Sequence, residues 1–454
     1  MRVRLLRRMT SRVAALAAVA AAAAACRSEP RRSTDCQSPT SGTRAAECYL
    51  VDAAFRRAEL VASLVNPQNR YSRLRLIHYA SGDAHDWERL VEWNPPVDVI
   101  TPAELDAPGG ASLGSMSSRA AALSLPDTNA PPDRSRLLSL GREAFRRYPV
   151  QLAPYWRVAL ASRASAAKYG LWVDEERSSV GGLVRARMAD GQGALMVTCS
   201  TCHAAPHAGV IEDGLPNADL DSGAALLDAS GRPDSDPPAG ARVAVWGPGR
   251  LDVTTTSGTE PARIPDLRPV RWLTYLQQAA GVRARNVAAL AIRIETLIIT
   301  AHNEVTRPPR VVSLALAMYL ESLGDALPSI PVAASANPLG SGLFSAQCAS
   351  CHAPPGLTGE PVALVEVGTD PTLGESVDRA TGAYRVPSLR GVGTRGPLLH
   401  DGTIPSLAAM FDPSRITSAS GRRLHGSGAV PGHLYGLDLD AADRRALVSF
   451  LSAL

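Results

Sequence analysis

Lysine is almost missing from this chain: Lys168 is the sole lysine in 454 residues, and every other basic side chain beyond the histidines is arginine. That excludes a lysine-ringed face for steering acidic partners. An excess of one charge sign is missing as well. The formal net charge is +4, and Arg2, Arg4, Arg7, Arg8 and Arg12 all precede the first apolar run, so the remainder is close to neutral. No nucleic-acid partner is implied. Aromatic residues make up only 5 % of the chain. Beyond residue 25 no stretch is long and apolar enough to span a bilayer.

What is present at the N-terminus is an arginine-rich start, an apolar run from Val13 to Ala25, and then Cys26. This pattern predicts a secretory signal over residues 1–25 rather than a membrane span. Ala23-Ala-Ala-Cys26 is similar to a bacterial lipobox, with alanine where leucine is usual. A lipid on Cys26 is therefore expected, with plain cleavage after an alanine as the alternative. The address is periplasmic or outer-membrane-anchored lipoprotein, and membrane contact would come only through that lipid.

Cysteine carries the strongest signal. Cys199-Ser-Thr-Cys202-His203 and Cys348-Ala-Ser-Cys351-His352 each place two thiols three positions apart with an imidazole directly after the second. Two such thiols can add across the vinyl groups of one porphyrin while the histidine ligates its iron. A zinc half-site or a redox dithiol explains the trailing histidine at both places less well. Two covalently bound haem c groups are expected, and the scarcity of aromatics suits cores filled partly by porphyrin. Of the seven cysteines, Cys36 and Cys48 then remain beside Cys26, and an oxidising compartment favours a disulfide between them.

The length suggests two or three domains. Residues 26–134 read as a polar tether followed by an N-terminal segment, with helical periodicity over 45–65, alternation over 73–79 that predicts a strand, a short helix within 83–93, and a loop or linker from Thr101 to Arg134. A first haem domain is expected over 135–327. Its helical stretches are Arg136–Tyr169, interrupted by prolines, then Val287–His302 and Val311–Leu323. Pro328–Pro338 is a linker, and a second haem domain follows over 338–454. There a short helix runs into Cys348, and a last helix opens at Asp440 as N-cap. Leu316-Ala-Met-Tyr319-Leu320 and Leu447-Val-Ser-Phe450-Leu451 form a weak repeat that would pack each domain's closing helix on the helix leading to its motif. The fold class expected is mostly α, two cytochrome c-type domains with long loops.

Tyr384-Arg-Val-Pro-Ser-Leu-Arg-Gly391, Gly396-Pro-Leu-Leu-His-Asp-Gly402 and Ser406-Leu407 resemble the segment behind the second haem in the bacterial dihaem cytochrome c peroxidase superfamily. Gly432-His433, the last helix and Trp246-Gly-Pro-Gly-Arg-Leu-Asp252 are closer to its dihaem rubber-oxygenase branch. The resemblance covers roughly residues 135–454. It implies haems near a domain interface, one relaying electrons and one meeting peroxide or dioxygen, with a redox partner protein or small donor supplying electrons. His203 and His352 are the proximal ligands by position. For the second haem the sixth ligand is His433 or Met410, with His400 near a propionate or a turn. For the first, His302, Met318 and His207 are candidates and the position is left open. Glu295 lies where that family places its distal carboxylate, although a helix-face glutamate paired with an arginine is the plain alternative. Trp272 lies where the family places its electron-relay tryptophan, but Leu273-Thr274 follows in place of Asp-Gly; Trp246 is the second choice. A calcium ion is part of the same resemblance, without a compact carboxylate cluster to hold it.

Overall fold

The computed structural model describes residues 36, 42–112, 116–127, 133–188, 191–231, 243, 246–252, 261–330, 335–419, 421–423 and 426–454. Cys26 and the leader lie outside them.

Two packed helix pairs organise the two halves. Arg134–Arg147 lies on Arg310–Ser322, and Pro338–Gln347 lies on Ala441–Ser452. Both contacts are built alike. A Cβ on Gly141 would stand 2.1 Å from the Ala315 carbonyl oxygen, and one on Gly340 would stand 2.3 Å from that of Ala446. Only glycine permits such an approach. One turn further along, Phe145 meets Tyr319 with ring centroids 5.7 Å apart, and Phe344 meets Phe450 at 5.4 Å. The repeat expected from Tyr319 and Phe450 is thus present, and it extends to a Gly-x-x-x-Phe on each partner helix.

The halves differ in how the first helix reaches its cysteine motif. Pro338–Gln347 leads straight into Cys348, whereas residues 148–198 intervene before Cys199. That insertion, expected to be helical up to residue 169, carries only short helical turns. It supplies three strands of a four-stranded antiparallel sheet in the order 97–99, 183–187, 193–197, 151–152. Val97, Val184, Ala186 and Met196 are buried together on it. The fold is richer in helix than in strand but is not purely helical.

The edge strand Val97–Val99 comes from the N-terminal segment, so this segment is built into the first half. Its helices Gly42–Val51, Ala53–Ser63 and Arg70–His78 share one core with the apolar helix Val287–Ala301. The helical periodicity over 45–65 is broken at Asp52, whose carboxylate caps the second helix at the Phe55 N–H (2.9 Å). The strand expected over 73–79 is instead part of Arg70–His78. Its buried residues Tyr71, Ser72 and Arg75 have helical spacing, and Asn69 caps its first turn. Cys36 and Cys48 form the expected disulfide. Further on, Arg70 N–H donates to the Val377 carbonyl (3.1 Å) and Asn69 Nδ2 to that of Arg379 (2.6 Å), so the segment also touches the second half.

The helix Val287–Ala301, capped by Asn286, and the helix Arg310–Ser322 fall where periodicity places them, as does Ala441–Ser452, whose N-cap Asp440 accepts from Ala442 and Asp443 N–H. No helix among the described residues is long and apolar enough to cross a membrane.

Candidate cofactor sites at the two cysteine motifs

Cys348 caps the helix Pro338–Gln347, and the chain turns so that Cys351 and His352 N–H both donate to its carbonyl. The loop beyond is closed by an Ala353–Thr358 bridge and tied down by Ser388 Oγ, which donates to Gly356 O (2.6 Å). His352 Nδ1 lies 3.1 Å from the Leu357 carbonyl oxygen, and the Pro387 carbonyl is a second acceptor on the ring. A carbonyl only accepts, so Nδ1 carries the proton and Nε2 is left with its lone pair for a metal. Burial lowers the His352 pKa to about 4 and raises that of Cys348 to about 11, so the imidazole is neutral and the thiol protonated at pH 7.

Cys348, Cys351 and His352 line a cavity whose other walls include Met410, His400 and His433. His433 is held in an unusual backbone conformation, with φ at 45°. Arg415 secures it. That buried guanidinium donates to the carbonyls of Met410 (2.9 Å), Val430 (2.8 Å), Gly432 (2.9 Å) and His433 (2.7 Å), and so fixes the backbone carrying both candidate sixth ligands. The His433 ring is buried, its pKa is lowered to about 4, and its Nδ1 has no partner. It also lies close enough to help depress His352. His400 stacks on Tyr384 at 4.1 Å, where burial lowers its pKa against the pull of Asp401.

Three arginines complete the cavity. Burial lowers Arg263, Arg385 and Arg395; the Arg395 charge adds to this at Arg263, which falls to about 9, and at Arg385, which falls to about 10, while Asp266 opposes it at all three. Arg263 Nη1, Arg385 Nε and Arg395 Nε are buried without partners. Three buried guanidiniums outnumber the carboxylates that act on them, Asp266 at all three and Asp401 at Arg263, and an anion joining them would be stabilised. The chemistry of this lining therefore fits a haem c: two thiols, an imidazole with free Nε2, a second histidine and a methionine on the same lining, and guanidinium groups for two propionates.

The first motif forms one helical turn, Cys199–His203, pinned from behind by Thr198 and Thr201 hydroxyls that both donate to the Gly182 carbonyl (2.8 and 3.1 Å). A Cβ on Gly182 would meet Ser200 Oγ at 2.2 Å, and its φ is +63°, so glycine is needed there. His203 Nδ1 lies 3.1 Å from the Pro265 carbonyl oxygen, which again leaves Nε2 free, and burial lowers its pKa to about 4. The thiols of Cys199 and Cys202 are pushed up to about 12 by burial. Cys202 packs in a core with Trp156 and Tyr169, and the buried indole N–H groups of Trp156 and Trp172 have no partner.

None of the three described candidates offers an evident sixth ligand here. His302 uses both ring nitrogens, Nε2 donating to Pro149 O (3.2 Å) and Nδ1 facing Thr306 Oγ1 (3.0 Å). His207 faces Glu212 (2.7 Å) on an exposed hairpin, and Met318 packs against the helix core.

Glu295 is fully buried. Its Oε2 accepts from Tyr49 (2.8 Å) and Tyr79 (2.7 Å), and Oε1 faces Arg310 Nε at 3.5 Å, all outside the cysteine motifs. Trp272 is sandwiched between Arg271 and Arg390, 4.2 and 4.0 Å from its ring. It abuts Gly356 in the loop behind His352. The Trp246 turn serves as a clasp: Arg250 donates to Trp246 O (2.9 Å) and Gly402 O (3.0 Å). Among the described residues no group of three or more His, Cys, Asp or Glu side chains converges as a metal site.

Sequence reasoning missed a second repeat. Arg263-Ile-Pro-Asp-Leu-Arg268 matches Arg385-Val-Pro-Ser-Leu-Arg390, and in each the proline carbonyl faces the histidine of its own half's cysteine motif. Aligning the two halves at their motifs would have revealed it. Arg415 carried no local signal.

No protein-family profile matches the chain, and no curated protein matches it. Among solved structures, one similar to it is a MauG-like protein associated with microbial copper homeostasis. The identity is 18 %, the match covers 46 % of this chain and 78 % of that one, and the TM-score is 0.34.

Proposed function

We propose that this chain is an exported dihaem c-type oxidoreductase in which electrons enter at the His352 site, pass to the His203 site, and reduce an oxidant there, with hydrogen peroxide as the default. The observation that carries the reading is the cavity at the second motif, which joins both thiols and His352 to His433 and to three buried arginines. Bound at the two motifs, haem c would supply one-electron storage and, at an iron with an open position, reduction of the oxidant.

The chain's own part rests on its side chains. His352 and His433 offer imidazoles from two walls of one cavity, an arrangement suited to relay, and Arg415 holds the second in place. Of the sixth-ligand candidates His433 is preferred to Met410, because its buried Nδ1 is unpartnered and its backbone is strained and pinned. At the first motif His302 is occupied elsewhere, which favours an open position. Trp272 touches the loop behind His352 and follows the segment whose Pro265 carbonyl holds His203, which supports it as the residue that passes electrons. Glu295 is tied into a tyrosine cluster, which supports its plain reading as a structural carboxylate rather than a proton shuttle. The disulfide supports export, and a lipid on Cys26 would add a membrane tether.

The test uses full-length protein matured with haem. Two covalent haems, one low-spin and one high-spin or weakly held, together with peroxide turnover, are expected. Two low-spin signals in every redox state and no turnover would instead make the protein a plain electron carrier. A stable dioxygen adduct with turnover of an organic compound would make it an oxygenase.

A further inference from the structure

Trp272 stands where the two halves meet, and each half brings a guanidinium to its indole. Arg271, its neighbour in the chain, places Cζ 4.2 Å from the ring centroid. Arg390, from the second half, places Cζ at 4.0 Å. The ring edge rests on the turn at Gly324, where an added Cβ would stand 2.9 Å from Cζ3, and the Trp272 Cβ lies 2.9 Å from one added at Gly356.

Arg390 is held at that ring by backbone. Its Nη2 donates to the Pro328 carbonyl (2.9 Å) and its Nη1 to that of Pro355 (3.3 Å), while Nε is buried without a partner. Carbonyls anchor the guanidinium without cancelling its charge. Arg271 pairs with the exposed Asp325, so that carboxylate and solvent offset part of its field. The two cations are close enough for Arg271 to help depress Arg390.

A neutral indole attracts cations through the negative face of its ring. Loss of one electron reverses the sign of that interaction, because the radical cation would add a positive charge 4.0 and 4.2 Å from two others. A neighbouring like charge disfavours a charged form, and partial burial limits the screening.

Resting on the electron relay proposed above, we propose that Arg271 and Arg390 are positioning residues that keep Trp272 from being oxidised, so that electrons cross the indole and none is taken from it. Each electron that leaves the His352 site arrives at the His203 site; two of them, with two protons, convert one peroxide to two waters. Trp272 ends each turnover unchanged. Peroxide that arrives without a donor leaves its oxidising equivalents at the metal sites and not on this side chain.

The experiment adds peroxide, without a donor, to the matured full chain and reads tryptophan radical by electron paramagnetic resonance. Covalent haem content is measured first, since fewer than two haems in the unaltered protein sinks the dihaem reading itself. The unaltered protein and Arg390→Lys, which keeps the charge, should show little radical. Arg390→Gln should raise the yield several-fold, and the added signal should vanish when Trp272→Phe is combined with it. Arg271→Gln should act in the same direction, and it decides alone if Arg390→Gln fails to mature.

A second readout needs no haem and decides if peroxide raises no radical in any variant. Photogenerated ruthenium(III) tris-bipyridine takes one electron from exposed side chains, and oxidised Trp272 is then counted by peptide mass spectrometry. Trp272 should be marked several-fold more in Arg390→Gln than in the unaltered protein or Arg390→Lys. A purely structural role would instead make the lysine and glutamine variants alike. That likeness, an added radical that survives Trp272→Phe, or equal Trp272 oxidation with and without the arginine charge would overturn the proposal.

Discussion

Glu295→Ala should weaken the fold while leaving the haem sites working. The carboxylate is 1 % exposed and accepts hydrogen bonds from two phenols that are themselves buried, with the Arg310 guanidinium on its other oxygen. Its loss would leave two hydroxyls and a cation without a partner in a closed core. Hydrogen bonds to a charged group contribute about 1.5–3 kcal/mol each, and removing one member of a buried charged pair costs about 3–5 kcal/mol. These overlap rather than add, so a loss of about 3–5 kcal/mol is expected. Glu295→Gln keeps one acceptor oxygen and should lose roughly half as much. The assay is urea unfolding followed by far-ultraviolet circular dichroism, run beside peroxide turnover at a temperature where both variants remain folded. Both variants should be less stable with turnover per haem close to that of the unaltered protein. A variant as stable as the parent that has lost turnover would refute the structural assignment and make Glu295 the distal carboxylate.

Further outcomes are expected from the same geometry. His433→Ala should convert the His352 haem from low-spin to high-spin while Met410→Leu leaves it low-spin; the reverse pattern in electron paramagnetic resonance would assign Met410. Arg415→Ala should broaden or abolish that low-spin signal without changing haem content, because it releases the carbonyls of Met410, Val430, Gly432 and His433; an unaltered signal would show that Arg415 does not position the ligand. Replacing both Cys36 and Cys48 by serine opens a loop with a sequence separation of 12 and should cost about 2–3 kcal/mol in urea unfolding; no change would show that the linkage constrains little. His302 has its pKa lowered to about 4 by burial, so the unfolded chain binds the extra proton first as pH falls. Stability should therefore be full above about pH 6.5 and decline from there to pH 4. The loss should reach about 2 kcal/mol after allowance for partial exposure. His302→Asn should flatten that part of the profile, and an unchanged slope would count against the assignment.

The cysteine motifs were legible because haem attachment demands adjacent residues at fixed spacing. Long apolar helices such as Val287–Ala301 were legible for a similar reason, since their burial repeats every turn. The helix Arg70–His78 was not, because its charged residues mimic alternation and its buried face rests on Arg75, which reaches Thr296 (3.1 Å) on another helix. The four-stranded sheet was hidden because its edges come from residues 97–99 and 151–152, strands too short to show a period. Glu295 was placed on the right helix but not in its surroundings, which come from Tyr49 and Tyr79 in a segment that the resemblance did not reach. Arg415 was invisible because it binds only backbone carbonyls, and no side-chain pattern marks them.

Joined and unjoined cysteines side by side set an order of events for the making of this protein. Cys36 and Cys48 are joined, whereas Cys199, Cys202, Cys348 and Cys351 would have to be reduced to take a porphyrin at the two motifs. An oxidant able to join the first pair can also join thiols three positions apart, and a disulfide cannot add to a vinyl group. On the function proposed above, the exported chain would have to meet a reductant that spares or precedes the Cys36–Cys48 link, or receive porphyrin before general oxidation reaches the motifs. Once the core closes, Cys348 is buried and its thiol is pushed up to about 11, so a window for attachment would lie before folding is complete. Yield of the mature protein in a foreign host should then depend on the timing of thiol oxidation more than on the stability of the final fold.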